Sequence, residues 1–385
     1  MIGRFRDSSY DVIVVGARCA GASTAMLLAR KGLKVLVIDH DQPGTDTMST
    51  HALMRAGVFQ LRKWGLLHAI IGAGTPAVRR TSFIYDGEAL DIDLKDEDGI
   101  AALYAPRRTL LDATLAQAAA VAGAELRYGT GCAGLVTNDE GRVIGANVRT
   151  RAGVIREIRA PLVIGADGRR SAVARAAGAQ VTRTGRNTIS CLYQYVRGLP
   201  NRGYRWHFAP GAAGGLIPTN DGQSCIFVGL PPEVQAELRK AGPMNLETIV
   251  NRFVPAMAKD LAGAQAASAP VLFAGLRGFF RQPAGPGWAL VGDAGYFRDP
   301  ITSHGITDAL RDAEILADAV ISGRVADYPA LRDSLSSEFF ALTDRLAGLD
   351  WTMGEVQNIH RALNRAMKAN QRWIAGTNRD LPIAA

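Results

Sequence analysis

Residues 11 to 16, DVIVVG, form an unbroken apolar run that ends on glycine, the pattern of a central parallel strand covered on both faces. GASTAMLLARKG follows with helix formers and closes on Gly32 as a C-cap, and LKVLVIDH is a second buried strand. Strand, tight turn, helix and strand together make a βαβ unit. Farther on, FIYDGEALDIDL alternates about Asp86-Gly87 and predicts a hairpin. Residues 108 to 123 carry apolar positions at helical spacing, and APLVIGADG at 160 to 168 is another apolar strand running into a turn.

The texture then changes. TISCLYQYV, YRWHFAP and GGLIPTNDGQSCIFVGL alternate between turn residues, with PTNDG as a hairpin tip, so roughly 181 to 275 reads as an antiparallel sheet. The α/β pattern returns at WALVGDAG, and from Pro300 onward the chain looks mainly helical. The expected fold class is therefore α/β (α+β overall), with a parallel-sheet domain interrupted by an antiparallel one. Its predicted parts are 1–80, 101–180 and 276–330 for the discontinuous α/β domain, 81–100 and 181–275 for the antiparallel domain, and 331–385 for a C-terminal helical segment.

Composition narrows the function classes. An apolar fraction of 48% in 385 residues builds a sizeable core and excludes a disordered or fibrous chain. The 44 basic and 36 acidic residues leave a dispersed +8, which suits acidic ligands and gives no nucleic-acid footprint. No apolar run approaches the roughly 18 residues of a membrane span, and no apolar signal-peptide region precedes the first strand. Cys19, Cys132, Cys191 and Cys225 are far apart without CxxC spacing. They read as reduced core residues of a cytoplasmic protein, with no metal site implied.

Candidate chemistry begins at VIVVGARCAGAS, where Gly16 and Gly21 hold the first and third places of a dinucleotide fingerprint and Arg18 stands where the second glycine would be. Asp39 ends the second strand at the offset of a ribose-binding acid. GADGRRSAVAR places Asp167-Gly168 after a buried strand, and GDAGYFRDPITSHGI places Asp293 after another. All three acids fall at the carboxyl edge of one parallel sheet, where ligands of such folds bind.

This ordered trio, spread over residues 10 to 325, resembles the FAD-dependent oxidoreductases that include para-hydroxybenzoate hydroxylase-type (group A) monooxygenases, geranylgeranyl reductases and flavin-dependent halogenases. The resemblance implies a Rossmann-like FAD-binding domain and an antiparallel substrate domain. It implies that Gly16, Arg18, Cys19, Ala20 and Gly21 hold the pyrophosphate, Asp39 the adenosine ribose, and Arg108, which opens RTLLD, the FAD. Asp293 matches the acid on the ribityl chain or pyrophosphate. Pro300 and Gly305 match a P-x-x-x-x-G turn that brings the N–H groups of Ile306 and Thr307 to the flavin at a helix N-terminus. Asp167 is linked in the family to FAD and NADPH, with a turn-stabilising cap as the alternative reading.

The resemblance further implies hydroxylation or epoxidation of an aromatic or other unsaturated small molecule through a C4a-peroxyflavin, with NADPH or NADH as transient electron donor. No second glycine fingerprint is present, so a separate flavin reductase is the alternative donor. A reductase of isoprenoid or polyketide double bonds is the second reading, and a flavin-free binding protein on the same fold is a third. The tryptophans never adopt the W-x-W-x-I-P spacing of the halogenases, which argues against halogenation.

Alternation puts Ile189, Cys191, Tyr193 and Tyr195 on one face, and Tyr204, Trp206 and Phe208 on another. Tyr193, Tyr195 and Trp206 are the substrate-pocket candidates, with plain sheet packing as the alternative. His51, in the long loop after the second strand, is a flavin-contacting or substrate-orienting candidate or else a helix cap or exposed histidine. His304 lies inside the Pro300 turn, and His207 is a weaker candidate. Arg18 either reaches the cofactor or a substrate-side anion, or points to solvent. The amphipathic C-terminal helices suit packing on the FAD domain, closing of the pocket, or a homodimer contact.

Overall fold

The computed structural model describes residues 10–242 and 245–376. A six-stranded sheet forms its centre, in the order Ala284–Gly285, Trp288–Leu290, Leu162–Gly165, Val12–Val15, Val35–Asp39 and Glu125–Tyr128. All neighbours in it are parallel except the first pair. Val12–Val15 (β1) lies between Val35–Asp39 (β2) and Leu162–Gly165, with Val12 opposite both Val35 and Leu162. Val12 and Val14 enter one core with Met26 and Leu310, and Ile13 and Val15 enter another with Val143 and Val148. Both faces are covered, which is why the run is apolar without alternation.

The helix Cys19–Ala29 (α1) packs on one face with Arg108–Val121 and Gly305–Ile321. The other face is covered by a three-stranded antiparallel sheet of Thr130–Thr137, Val143–Thr150 and Ile155–Arg159. Those strands did not stand out as a hairpin in the sequence, because most of their positions are only partly buried or exposed.

The large, mostly antiparallel sheet joins the hairpin Arg80–Tyr85/Glu88–Asp93 to Tyr204–Ala209, Ala212–Pro218, Gln223–Leu230 and Ser190–Arg197, with Arg80–Tyr85 running parallel to Tyr204–Ala209. The first hairpin turns at Asp86 (φ 48°) and Gly87 (φ 96°), the second at Asp221 (φ 61°) and Gly222 (φ 63°), as the alternation predicts. Two details differ from the sequence reading. Val181–Thr184 pairs with Phe279–Arg281 in a separate three-stranded sheet rather than joining the antiparallel block. The block also contains helices, among them Pro232–Ala241 and Leu246–Phe253. Leu246, Ile249 and Val250 cover the sheet's outer face at Leu192, Ile226 and Val228.

The C-terminal helices Tyr328–Leu346 and Met353–Ile374 pack within the chain. From the last of them His360 reaches Tyr85 and Phe208 of the antiparallel sheet, Asn370 bonds Arg311 of the Gly305–Ile321 helix, and Gln371 bonds Asp98. Among the described residues no helix is long and apolar enough to cross a membrane.

Candidate functional site

A cleft of about 730 Å³ opens between the carboxyl edge of the parallel sheet and the antiparallel sheet, within the size range of cofactor sites. At one end β1 runs into Gly16, whose φ of 108° and nearness to Ala166 require glycine: a Cβ there would stand 2.4 Å from the Ala166 carbonyl oxygen. Gly21 packs α1 on the same turn, where a Cβ would meet the Gly16 carbonyl oxygen at 1.9 Å. Arg18, by contrast, has φ −90° and caps α1 from an ordinary extended conformation. The backbone makes no demand for glycine there, which explains how the fingerprint tolerates the side chain.

Arg18 points into the site and not to solvent alone. It borders the cleft, pairs with Asp41 at 2.9 Å and Asp112 at 3.6 Å, and leaves a buried Nη1 without a hydrogen-bond partner. Asp112 is a hub that the sequence reading missed. It accepts from Arg108 Nη2 at 3.0 Å and from the Cys19 thiol at 3.1 Å, so the helix carrying RTLLD is tied to the first turn of α1. Cys19, Ala20 and Arg108 all border the cleft. Burial pushes the Cys19 thiol far above its usual range, leaving it an un-ionised donor.

Asp39 is buried, and its two oxygens accept the backbone N–H groups of Ala17 at 2.7 Å and Asp41 at 2.8 Å. It therefore holds the glycine turn in place while also bordering the cleft. Asp39, His40 and Asp41 bring three potential metal-ligand atoms within 4.8 Å of one another, but Asp39 and Asp41 are already engaged by Ala17 and Arg18.

Both readings of Asp167 have a structural counterpart. Oδ2 accepts from Ala172 and Val173 at the start of the Ala172–Ala176 helix, while Oδ1 is buried without a partner in a residue that borders the cleft. Asp293 borders the cleft after strand Trp288–Leu290, on a turn where Gly292 (φ 60°) lies against α1, a Cβ there coming 2.8 Å from Ala20 Cβ. Burial raises the Asp293 carboxyl to about 6 against the opposing charges of Arg169 and Arg108.

Pro300, Gly305 and Ile306 border the cleft where the Gly305–Ile321 helix begins. Ser303 supplies the reversal with φ 53°. The side chain of Thr307 points the other way, its Oγ1 accepting from Met54 N–H at 3.3 Å. His304 also turns from the cleft: its Nδ1 bonds the Thr302 carbonyl at 2.6 Å and its Nε2 meets Met367 Sδ at 2.7 Å.

The expectation for His51 is a flavin-contacting or substrate-orienting residue, or else a helix cap or an exposed ring; the side chain is neither exposed nor on the cleft surface, but fully buried behind the wall formed by Ser49, Thr50 and Ala52. It makes a short hydrogen bond to Tyr195 Oη, and its Nδ1 has no partner. Burial, with Arg108 and Arg107 adding repulsion, lowers its pKa to about 3. Tyr195 lies under the Arg107 guanidinium, 3.8 Å from Cζ to the ring centroid, and Arg107 in turn holds Asp46 at 2.7 Å.

Of the three pocket candidates only Tyr193 borders the cleft, beside Cys191, Phe273 and Phe297. Tyr195 is covered by the His51 loop, and Trp206 donates to Thr81 at 3.0 Å and packs on Phe227. Arg107, Asp112, Arg298 and Asp299 were missed. The runs PRR and FRDP held the signal, since charged residues beside apolar strand ends must find partners once buried.

The residues fit FAD on the structure's own terms. A glycine cradle that a Cβ would fill lies beside unpartnered buried atoms of Arg18 and Asp167 on the same cleft. Comparison with known proteins agrees. The model of a family described as the FAD binding domain matches residues 9–324. A digeranylgeranylglycerophospholipid reductase of Methanosarcina mazei is 29% identical over 80% of this chain and 74% of its own length. Among solved structures, the flavin-dependent brominase Bmp2 superposes with TM-score 0.77 at 18% identity, over 97% of this chain and all of its own. PqsL of Pseudomonas aeruginosa, described as a probable FAD-dependent monooxygenase, has TM-score 0.75 at 19% identity, over 94% and 100%. At such identities the structural likenesses show the fold.

Proposed function

This chain belongs to the FAD binding domain family, and from that premise we propose that it is an FAD-dependent oxidoreductase that oxygenates an unsaturated, largely apolar small molecule. The observation that carries the reading is the two-faced cleft, rich in glycine, arginine and carboxylate at one end and walled by Cys191, Tyr193, Phe273 and Phe297 at the other. When bound, FAD supplies the redox chemistry, with NADPH or NADH as the transient electron donor.

The chain's own groups divide the remaining work. Gly16 and Gly21 let backbone and α1 approach the phosphates, and Arg18 and Arg108 bring positive charge to them. Asp293 accepts from cofactor hydroxyls, and the N–H groups of Ile306 and Thr307 at a helix start favour negative charge on the ring edge. Burial lifts the Tyr193 phenol and the Cys191 thiol well above their usual ranges, so the wall stays uncharged at neutral pH. A neutral aromatic wall excludes water from the reacting centre and positions a substrate by shape.

The sequence relatives favour a second reading. The Methanosarcina mazei protein is named a reductase of a digeranylgeranyl lipid, and the same wall would suit an isoprenoid or polyketide double bond being saturated. Turnover under isotopically labelled dioxygen separates the two. Label in the product supports oxygenation; a product richer by two hydrogens and free of label supports saturation. Purified protein that neither carries nor takes up flavin overturns both.

A further inference from the structure

Arg298 lies between the Asp293 turn and the Pro300 turn, and no role described so far uses it. It borders the cleft although only 5% of its surface is exposed. Its Cζ lies 3.9 Å from the Phe339 ring centroid, and Nη2 approaches Asp308 Oδ2 to 2.5 Å. Beyond that charge contact, Nε, Nη1 and Nη2 make no hydrogen bond, and Asp308 Oδ2 accepts none.

The neighbouring buried arginines show what the fold ordinarily provides. Arg311 donates to Asp312, Ser336 and Asn370. Arg332 donates to Asp333 and to the carbonyls of Gly295 and Arg281. Asp299, beside Arg298, is taken up by Thr188, Ile189 and Ile301. A buried donor left unbonded costs about 1–3 kcal/mol, and native proteins rarely leave one so. Asp308 answers Nη2 alone, so the acceptors for Nε and Nη1 come from the cleft side.

Position selects among the acceptors that FAD offers. The phosphate turn already has Arg18 and Arg108, whereas Arg298 adjoins Asp299, which is bonded to Ile189 at the entry to the antiparallel sheet. Resting on the FAD reading above, we propose that Arg298 is a cofactor-binding residue: its guanidinium donates to the acceptor-rich pyrimidine edge of the flavin and favours the reduced, negatively charged ring. A cation there acts together with the helix start at Gly305.

The test is the midpoint potential of the bound flavin, read by reductive titration against a reference dye, with the FAD dissociation constant measured alongside. Arg298→Met is expected to weaken FAD binding about tenfold, as for loss of a charge-assisted hydrogen bond. It should also weaken the preference for reduced over oxidised flavin by a similar factor, which is about 30 mV for a two-electron couple. Arg298→Lys, which keeps the charge with fewer donors, should fall between Met and wild type. Wild-type potentials in both variants, whatever their melting temperatures, would make Arg298 a structural ion pair and overturn the proposal. If Arg298→Met does not fold, Arg298→Lys decides by the same reading. A wild-type protein without flavin affinity sinks the FAD reading itself, an outcome distinct from wild-type affinity with unmoved potentials.

Discussion

Replacing Arg18 tests how a fingerprint without its middle glycine holds a pyrophosphate. The guanidinium is about a quarter exposed, with side-chain exposure of 28%, so its pair with Asp41 contributes no more than about 0.5 kcal/mol to folding. Its Nη1, 3.6 Å from Asp112 and making no hydrogen bond, is the part placed to meet a phosphate oxygen. A charge-assisted hydrogen bond of that kind is worth about 1.5–3 kcal/mol, or roughly a 10- to 100-fold change in affinity. Arg18→Ala should therefore leave the urea midpoint nearly unchanged while raising the FAD dissociation constant by that factor, and should flatten its dependence on salt. Because φ at this position is −90°, Arg18→Gly should behave like Arg18→Ala and not rescue binding. Flavin fluorescence on titration of apoprotein measures both. Wild-type affinity in Arg18→Ala would refute the charge argument, and tighter binding in Arg18→Gly would mean that the Cβ, not the charge, controls the approach.

Two further predictions concern the scaffold. Gly16→Ala places a Cβ 2.4 Å from a backbone oxygen at φ 108°, so it should lose at least about 2 kcal/mol in denaturant unfolding along with flavin content; a loss under 0.5 kcal/mol would contradict the close approach. Burial raises the Asp299 carboxyl to about 7, so its contribution to stability is full below its unfolded value near 4 and is lost as pH rises toward 7. Removing that proton in Asp299→Asn should make stability rise more steeply with pH than in wild type, by about 1.4 kcal/mol per pH unit between roughly 4.5 and 6. Parallel slopes for the two proteins in pH-dependent urea unfolding would count against the raised value.

The parts of the chain legible in sequence are those where one local requirement dominates. VIVV is apolar throughout because both faces of β1 are covered, and Gly16 is glycine because of its φ and its neighbour. Asn245, whose side chain caps the Leu246–Phe253 helix by accepting from Thr248 N–H, was an equally local signal that the strand-like surroundings masked. What alternation does not carry is coverage. Tyr193 and Tyr195 share a strand face, yet only Tyr193 reaches the cleft, because the loop through His51 closes over Tyr195 and Arg107 seals it. That outcome is decided by a segment more than a hundred residues away. Asp39 likewise sits at the expected place but divides its oxygens between backbone donors, which spacing alone does not reveal.

The helix Met353–Ile374 lies outside the stretch that the family model matches, yet it touches Tyr85 and Phe208 of the large sheet, Arg311 on the helix that begins at the cleft, and Asp98 of the connecting loop. The two sides of the cleft are thereby braced from behind by a single rod. Altered specificity in this fold need not arise in the pocket. A change in how that rod is packed would tilt one wall against the other, so the shape of the cleft becomes adjustable at a distance from any residue that lines it.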